Sequence, residues 1–213
     1  MEKSVVPENT TLFSSPFLEF FARTNTLLTF IYLTVYITLL IWPSTRTISW
    51  LSIGNSLALY VSGIFIWTFF EYILHRYIFH LAGELAAVKK FTDTLHGIDH
   101  DQKREERRVF MPPVPGTLFI GFFFGVFWLI MRQYSFLFLA GFLNGYMIYA
   151  FMHFFIHLKR PVKGLKFLWR HHALHHHKYP EKAFGISSPF RDIVFGTMPP
   201  AKKEMSNNGR LHQ

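Results

Sequence analysis

The chain has 213 residues, no cysteine, 26 phenylalanines and a formal net charge of +9, and it is far more aromatic than ordinary soluble domains. The absence of cysteine excludes disulfides, thiolate metal sites and cysteine nucleophiles, so any metal must be bound by nitrogen or oxygen. Residues 159–213 carry +8 of the net charge, which favours contact with an anionic membrane surface over contact with nucleic acid.

The first 23 residues are predicted to be a lead-in to a single domain that occupies residues 24–213. They contain three glutamates and no short apolar core after a basic start, so a cleaved signal peptide is not expected. Ser15 followed by Pro16 is typical of a helix start, and four phenylalanines recur at helical spacing between positions 13 and 21. This pattern indicates a short helix at the membrane surface, with a disordered lead-in as the alternative.

Four segments without Asp, Glu, Lys or Arg follow, and they are 22, 24, 23 and 26 residues long. Since about 20 apolar residues span the hydrocarbon core of a bilayer, these segments predict four transmembrane helices. The spans are expected at about residues 24–42, 50–70, 116–131 and 136–155. Pro43 is expected to end the first span, and the prolines of MPPVP are expected to precede the third. A buried helical soluble protein is the alternative, but little polar chain is left to cover four such segments.

Charge also predicts which polar segments share a side of the membrane. The Lys/Arg-rich segments 71–108 and 159–213 are expected on the cytoplasmic side, with the two short turns opposite. The predicted fold is therefore an all-α membrane protein with four transmembrane helices in two hairpins. A cytosolic helical cap, residues 159–200, would hold the active site on the cytoplasmic face, and residues 201–213 would form a tail. The membrane would be the endoplasmic reticulum in a eukaryote or the inner membrane in a bacterium.

Eleven of the twelve histidines lie between positions 75 and 177, in four groups that this topology places at one membrane face. The groups are His75 and His80, His96 and His100, His153 and His157, and His172, His175 and His176. Histidines four apart share a helix face, and the HxxHH spacing keeps the last three within about 100° of arc. Neutral imidazoles that converge in this way bind zinc, copper, iron or nickel. Nine imidazoles are more than one metal can bind, so two metals are predicted, and two irons that activate dioxygen fit best.

Neighbouring polar residues are given other roles. Glu71 lies one turn before His75 and is expected to orient that ring by accepting a hydrogen bond. His75 and His80 are about 140° apart on an α-helix, so they are expected to reach different metals unless the helix ends between them. The remaining histidines are interpreted as ordinary interfacial side chains: His171, His177 and His212.

The ordered motifs HRYIFH, HGxxH, MPPVP, HxxxH, HxxHH and FGIS…FGT resemble the fatty acid 2-hydroxylases of the membrane fatty acid hydroxylase superfamily. The resemblance runs from Gly63 to Gly196 and implies four transmembrane helices beneath a cytosolic cap with a dinuclear metal centre. It also implies hydroxylation at C2 of a long acyl chain in a sphingolipid or its fatty acid precursor. The nine histidines of the four groups match the family's metal ligands. Asp99 stands in HGIDH where the family has histidine, and it is expected to be an oxygen ligand or a hydrogen-bond acceptor.

The implied cofactors are two iron ions and O2, although the same ligands would also hold zinc. Many relatives begin with a cytochrome b5-like domain, which 23 residues are too few to form. Electrons are therefore expected from a separate protein of cytochrome b5 or ferredoxin type with an NAD(P)H-dependent reductase. The other expected partners are the bilayer and a long-chain acyl lipid. Binding to nucleic acid is not expected.

Two alternative functions remain at this point. One is another reaction of the same superfamily, such as sterol oxidation, sterol desaturation or carotenoid hydroxylation. The other is a histidine-rich membrane metal transporter, whose ligands would lie near the bilayer midplane rather than at one face.

Overall fold

The computed structural model describes residues 26–79, 111, 113–158 and 161–200, and every regular element within these ranges is helical. A six-residue π-helix, Leu74–Phe79, continues the second α-helix, and a 3-10 turn, Arg132–Tyr134, joins the third to the fourth. The α-helices are α1 Thr26–Thr47, α2 Ile53–Ile73, α3 Pro113–Met131, α4 Ser135–Leu158, α5 Lys166–His177 and α6 Phe190–Val194.

Three helical stretches among the described residues are long and apolar enough to cross a membrane: Thr26–Thr47, Ile53–Tyr77 and Pro113–His157. The third stretch has 45 residues, and as one straight helix it would be about 67 Å long, roughly twice the thickness of a bilayer core. The 3-10 turn at Arg132–Tyr134 divides this stretch into α3 and α4. The prediction of an all-helical protein with helices that can span a membrane is therefore confirmed.

The prolines do not set the helix boundaries that the sequence predicts. Pro43, which is expected at the end of the first membrane span, lies inside α1, because this helix continues to Thr47. The Thr47 hydroxyl donates to the Pro43 carbonyl at 3.0 Å in the last turn of this helix, and helices in apolar surroundings tolerate an internal proline more readily than helices in water. The third helix begins at Pro113 rather than near Gly116, because first-turn amides have no intrahelical acceptor and proline costs little there.

The helix α4 is the centre of the bundle. Its buried residues pack against α2 through two close backbone approaches. A Cβ atom on Gly63 would overlap the Phe138 carbonyl oxygen, and one on Gly141 would overlap the Tyr60 carbonyl oxygen. Small residues at such crossings bring two helix backbones into van der Waals contact, which is a main source of stability between apolar helices.

This close packing makes a prediction for stability. Gly141→Ala should destabilise the protein by about 1–3 kcal/mol, because the added methyl group forces α2 and α4 apart. The matched control is Gly121→Ala in α3, where an added Cβ meets no atom within 4 Å. The apparent melting temperature of the detergent-purified protein should fall for Gly141→Ala and stay near the wild-type value for Gly121→Ala. Equal melting temperatures for the two variants would contradict this helix crossing.

Ring contacts show how the helices are oriented. Phe124 contacts Phe136 at 5.2 Å, whereas Phe119 lies 6.4 Å from Phe142 further along α4, so α3 and α4 run antiparallel. At one end of the bundle, Trp50 contacts Tyr134 with ring centroids 6.0 Å apart. The two short connections therefore meet at that end, and the C-terminal ends of α2 and α4 lie at the other.

Candidate metal centre

Four histidine rings meet where the end of α4 faces α5. His157 Nε2 lies 2.9 Å from His153 Nε2 and 3.0 Å from His172 Nε2. His176 Nε2 lies 2.8 Å from His172 Nε2. The pairs His153/His157 and His172/His176 are each spaced by four residues, so each pair lies on one helix face. The two faces are directed at each other, and their four Nε2 atoms form a continuous row.

The separations of these nitrogens fit a shared cation. A neutral imidazole nitrogen either donates one proton or offers one lone pair, so four of them make at most two good hydrogen bonds with one another. Three contacts of 2.8–3.0 Å are present. Two nitrogens bound at right angles to an ion at about 2.1 Å would lie about 3.0 Å apart. The ligand atoms of His153, His157 and His172 all lie within 4.8 Å of one another, so these residues can hold a metal ion.

Burial keeps the central ring of the cluster neutral. His172 is 2% exposed, and this burial, followed by the neighbouring His153, His176, His157 and His75, lowers its pKa well below the usual range. A neutral imidazole is the form that binds a metal. The environment of His172 therefore favours ligation over a protonated state.

In two further histidines, His75 and His175, Nδ1 is hydrogen-bonded to a backbone carbonyl, which leaves Nε2 as the nitrogen that could bind a metal. His75 lies on the π-helix after α2, and its Nδ1 lies 2.6 Å from the Phe184 carbonyl oxygen. His175 Nδ1 lies 2.7 Å from the Lys182 carbonyl oxygen. A carbonyl can only accept, so each Nδ1 carries the proton and each Nε2 carries the lone pair. The two rings are 4.5 Å apart between centroids, and His75 is 6.5 Å from His172.

The loop that supplies both carbonyls has an unusual backbone. Ala183, between Lys182 and Phe184, has φ +60° and is fully buried. This left-handed conformation is uncommon for a residue with a side chain and costs about 1 kcal/mol or more. The carbonyls on the two sides of Ala183 contact histidines of two different helices, Lys182 with His175 of α5 and Phe184 with His75 of the π-helix. We call residues 182–187 the carbonyl loop.

Glu71 does not orient His75 as the sequence predicts. It is 2% exposed, and its Oε1 accepts hydrogen bonds from the backbone amides of Ile186 at 2.6 Å and Ser187 at 2.8 Å. The Ser187 hydroxyl donates to Oε2. The carboxylate therefore fixes the carbonyl loop, and the loop in turn contacts His75 through the Phe184 carbonyl. The predicted direct contact is wrong, because Glu71 Oε1 accepts from the loop amides, Oε2 accepts from the Ser187 hydroxyl, and His75 Nδ1 bonds the Phe184 carbonyl instead.

Asp192 fixes the same loop from the opposite side. The amides of Phe184 and Gly185 donate to its two oxygens, each at 2.9 Å. The Thr197 hydroxyl donates at 2.7 Å and His171 Nε2 lies 2.9 Å away. Burial raises the pKa of Asp192, but these four hydrogen bonds outweigh burial and hold the pKa below its usual value. The side chain is therefore an ionised, fully buried carboxylate.

The interpretation of His171 as an ordinary interfacial side chain is wrong, since the ring is only 6% exposed and bonds Asp192. It supports the carbonyl loop instead of facing the solvent. His177, with the same interpretation, is exposed at the end of α5. Four predicted site residues lie outside the described part of the chain: His80, His96, Asp99 and His100. His212, interpreted as an interfacial side chain, also lies outside it.

Sequence reasoning missed Asp192 and the backbone carbonyls of Lys182 and Phe184. Carbonyl groups leave no signature in a sequence. A signal for Asp192 does exist, because it lies within the apolar stretch FRDIVF, where an unpaired charge would be costly. Asp192 itself lies between the FGIS and FGT motifs.

The position of Glu71 leads to a prediction that separates hydrogen bonding from charge. Glu71→Gln should retain most of the stability and metal content, because its carbonyl can accept from both amides and its amino group can donate to Ser187 Oγ. Glu71→Ala leaves three donors without an acceptor and should cost about 3 kcal/mol or more. Thermal unfolding and metal analysis of both purified variants test this. Equal losses in the two variants would instead indicate that the negative charge itself is required.

The fold and the site define a helical membrane protein with a histidine cluster suited to a metal. The chain belongs to the fatty acid hydroxylase family, whose sequence profile, described as Fatty acid hydroxylase, matches residues 60–197. It is 34% identical over 176 residues to "Dihydroceramide fatty acyl 2-hydroxylase FAH1" of Arabidopsis thaliana, covering 79% of this chain and 72% of that protein.

Longer relatives share the same region. The chain is 34% identical to "Fatty acid 2-hydroxylase" of Mus musculus, covering 68% of this chain and 40% of the mouse protein. It therefore spans less than half the length of that relative. A solved structure of full-length scs7p, in which only the hydroxylase domain is visible, matches with a TM-score of 0.75 at 26% identity. That match covers 86% of this chain and 70% of the solved chain.

Proposed function

We propose that this protein hydroxylates C2 of a long acyl chain, in a sphingolipid such as a ceramide or in its fatty acid precursor. The observation that carries this proposal is the row of four Nε2 atoms from His153, His157, His172 and His176. Membership of the fatty acid hydroxylase family supports the reaction class. The names of the plant and mouse relatives, both 2-hydroxylases, support position 2 of the acyl chain.

The proposed cofactors are two iron ions, held by nine histidines. The described ligands would be His75, His153, His157, His172, His175 and His176. His80, His96 and His100 would complete the set, with Asp99 as an oxygen ligand or an acceptor for one of them. When bound, the irons supply the ability to activate O2 and to functionalise an unreactive C–H bond.

The stoichiometry of the proposed reaction requires O2, two protons and two electrons in addition to the acyl substrate. One atom of O2 enters the C–H bond at C2 as a hydroxyl group, and the other leaves as water with two protons and two electrons. The electrons come from a separate donor of cytochrome b5 or ferredoxin type. The protein's own residues orient the rings and exclude water. The carbonyl loop keeps the His75 and His175 lone pairs on Nε2, and Glu71 and Asp192 hold that loop in place.

The proposed membrane arrangement has four spans, with α3 and α4 as one hairpin and α1 and α2 as the other. The antiparallel contacts between α3 and α4 and the 3-10 turn between them support this count. Residues 159–200 would form a cytosolic cap over the ends of α2 and α4. The acyl chain would then approach the metals from the bilayer at the level where these helices end.

Isotope labelling tests this function directly. Membranes that contain the protein, supplied with a long-chain acyl substrate, a reductase system and ¹⁸O2, should produce a 2-hydroxyacyl lipid with ¹⁸O at C2. The product should disappear when O2 or the reductant is omitted. A hydroxyl group that takes its oxygen from water, or hydroxylation at another carbon, would exclude the proposed reaction.

A further inference from the structure

The short helix α6 lies against the outer face of α2. The part of α2 that it contacts belongs to the candidate membrane span Ile53–Tyr77. The Phe190 and Phe65 ring centroids are 5.8 Å apart, and those of Phe195 and Phe69 are 6.2 Å apart. Phe65 and Phe69 belong to a stripe of exposed apolar residues on α2, spaced four apart. The stripe consists of Leu57, Val61, Phe65 and Phe69.

Arg191 fastens α6 to this stripe without leaving a charge exposed. Its Nη2 donates to the Phe65 carbonyl at 3.0 Å, and its Nε donates to the Thr68 hydroxyl at 3.1 Å. The guanidinium lies 4.3 Å from the Phe65 ring centroid. Asp192, the next residue, is turned inward to the carbonyl loop and is fully buried. Both charged side chains of the helix therefore face the protein.

The outer surface of the same segment is apolar. The exposed fractions of Ile193 and Val194 are 62% and 55%, and three further side chains are at least 40% exposed: Phe190, Phe195 and Met198. With the α2 stripe these residues form one continuous exposed apolar face, which is the kind of surface that soluble proteins rarely leave in water. We call residues 190–198 the α6 segment.

We propose that the α6 segment is the part of the cytosolic cap that enters the boundary of the bilayer, with acyl chains against Ile193 and Val194. The proposal rests on α2 spanning the membrane, as proposed above. Lipid is favoured as the occupant because the α6 surface continues the α2 stripe that would already face acyl chains. A segment of this length is too short to cross the bilayer, so it lies at the boundary.

This placement would bring lipid next to the metal centre. The inner side of α6 carries Asp192, which bonds the amides of Phe184 and Gly185 in the carbonyl loop. Only the width of α6 would thus separate acyl chains on its outer side from the carbonyl loop on its inner side. The α6 segment would therefore hold the metal site close to the acyl chains of the bilayer, where an acyl substrate would be found.

The cysteine-free chain allows the depth to be measured with single spin labels. Ile193→Cys and Val194→Cys are the test variants, Val61→Cys on the α2 stripe is the lipid reference, and Glu181→Cys at an exposed position is the aqueous reference. Each full-length variant is labelled and reconstituted in phosphatidylcholine vesicles. Collision rates of the label with O2, which concentrates in lipid, and with a water-soluble nickel complex are then compared.

The ratio of O2 to nickel collisions at positions 193 and 194 should be several-fold higher than at 181 and close to the ratio at 61. A ratio equal to that at 181 would overturn the lipid assignment while leaving the α2 span intact. Labels shielded from both reagents would indicate a covering protein surface and would also overturn it. An aqueous ratio at 61 would instead refute the proposed span of α2, so the two failures are distinguishable.

Discussion

His172→Ala should reduce 2-hydroxylation by at least about 100-fold, because loss of an outer-shell partner of a metal ligand alone costs roughly 10–100-fold. His172 is the ring that connects the α4 pair to the α5 pair, since its Nε2 contacts both His157 and His176. Its removal breaks the row of nitrogens in the middle. The protein should still reach the membrane, because the helices that span it do not depend on this side chain.

The matched control is His177→Ala, which removes an imidazole from the same helix at an exposed position. It should retain near wild-type product formation and bound metal. Product is measured as 2-hydroxyacyl lipid per amount of membrane-inserted protein, and metal is measured on the purified variants. Full activity of His172→Ala, or equal loss in both variants, would contradict a metal centre at this row of nitrogens.

Asp192→Asn should destabilise the protein by about 2–4 kcal/mol and lower its metal content, although no metal ligand is altered. The carboxylate accepts four hydrogen bonds from Phe184, Gly185, Thr197 and His171. Asparagine has one accepting oxygen and would place its amino group against donors. The carbonyl loop would shift, and the carbonyls that fix the His75 and His175 rings would shift with it.

Glu181→Gln is the control for this substitution, since it makes the same chemical change at an exposed position of the neighbouring segment. It should melt at the wild-type temperature and keep its metal. The measurements are the apparent melting temperature in detergent and the metal bound per chain. If Asp192→Asn matches Glu181→Gln in both, then the hydrogen bonds of Asp192 do not support the site.

The histidine pairs of the candidate metal centre could be predicted from the sequence because each pair lies within one helix. Pairs four residues apart share a helix face, and His153/His157 and His172/His176 are such pairs on α4 and α5. The helical class followed from the four uncharged segments, because few other folds can bury so much apolar chain. Patterns of this kind lie within one helix, so a linear sequence contains them.

The features that the sequence did not reveal depend on residues far apart in the chain. Glu71 is more than a hundred positions from the loop amides that it accepts from, so its nearness to His75 in sequence was misleading. His171 differs from His172 by one position, and only the packing of α5 shows that His171 points to Asp192 while His172 points to the cluster. The helix end at Thr47 and the helix start at Pro113 were not predictable from the prolines, because an apolar helix can contain a proline and a helix can begin with one.

The most direct test of the proposed activity is mass spectrometry of lipids from a host that lacks 2-hydroxy fatty acids. Cells that express the wild-type chain with a suitable electron donor should accumulate acyl chains hydroxylated at C2, and so should cells that express His177→Ala. Cells that express His172→Ala at the same membrane level should accumulate none. Wild-type cells without 2-hydroxyacyl lipids, or with altered sterols or carotenoids in their place, would contradict the proposed function.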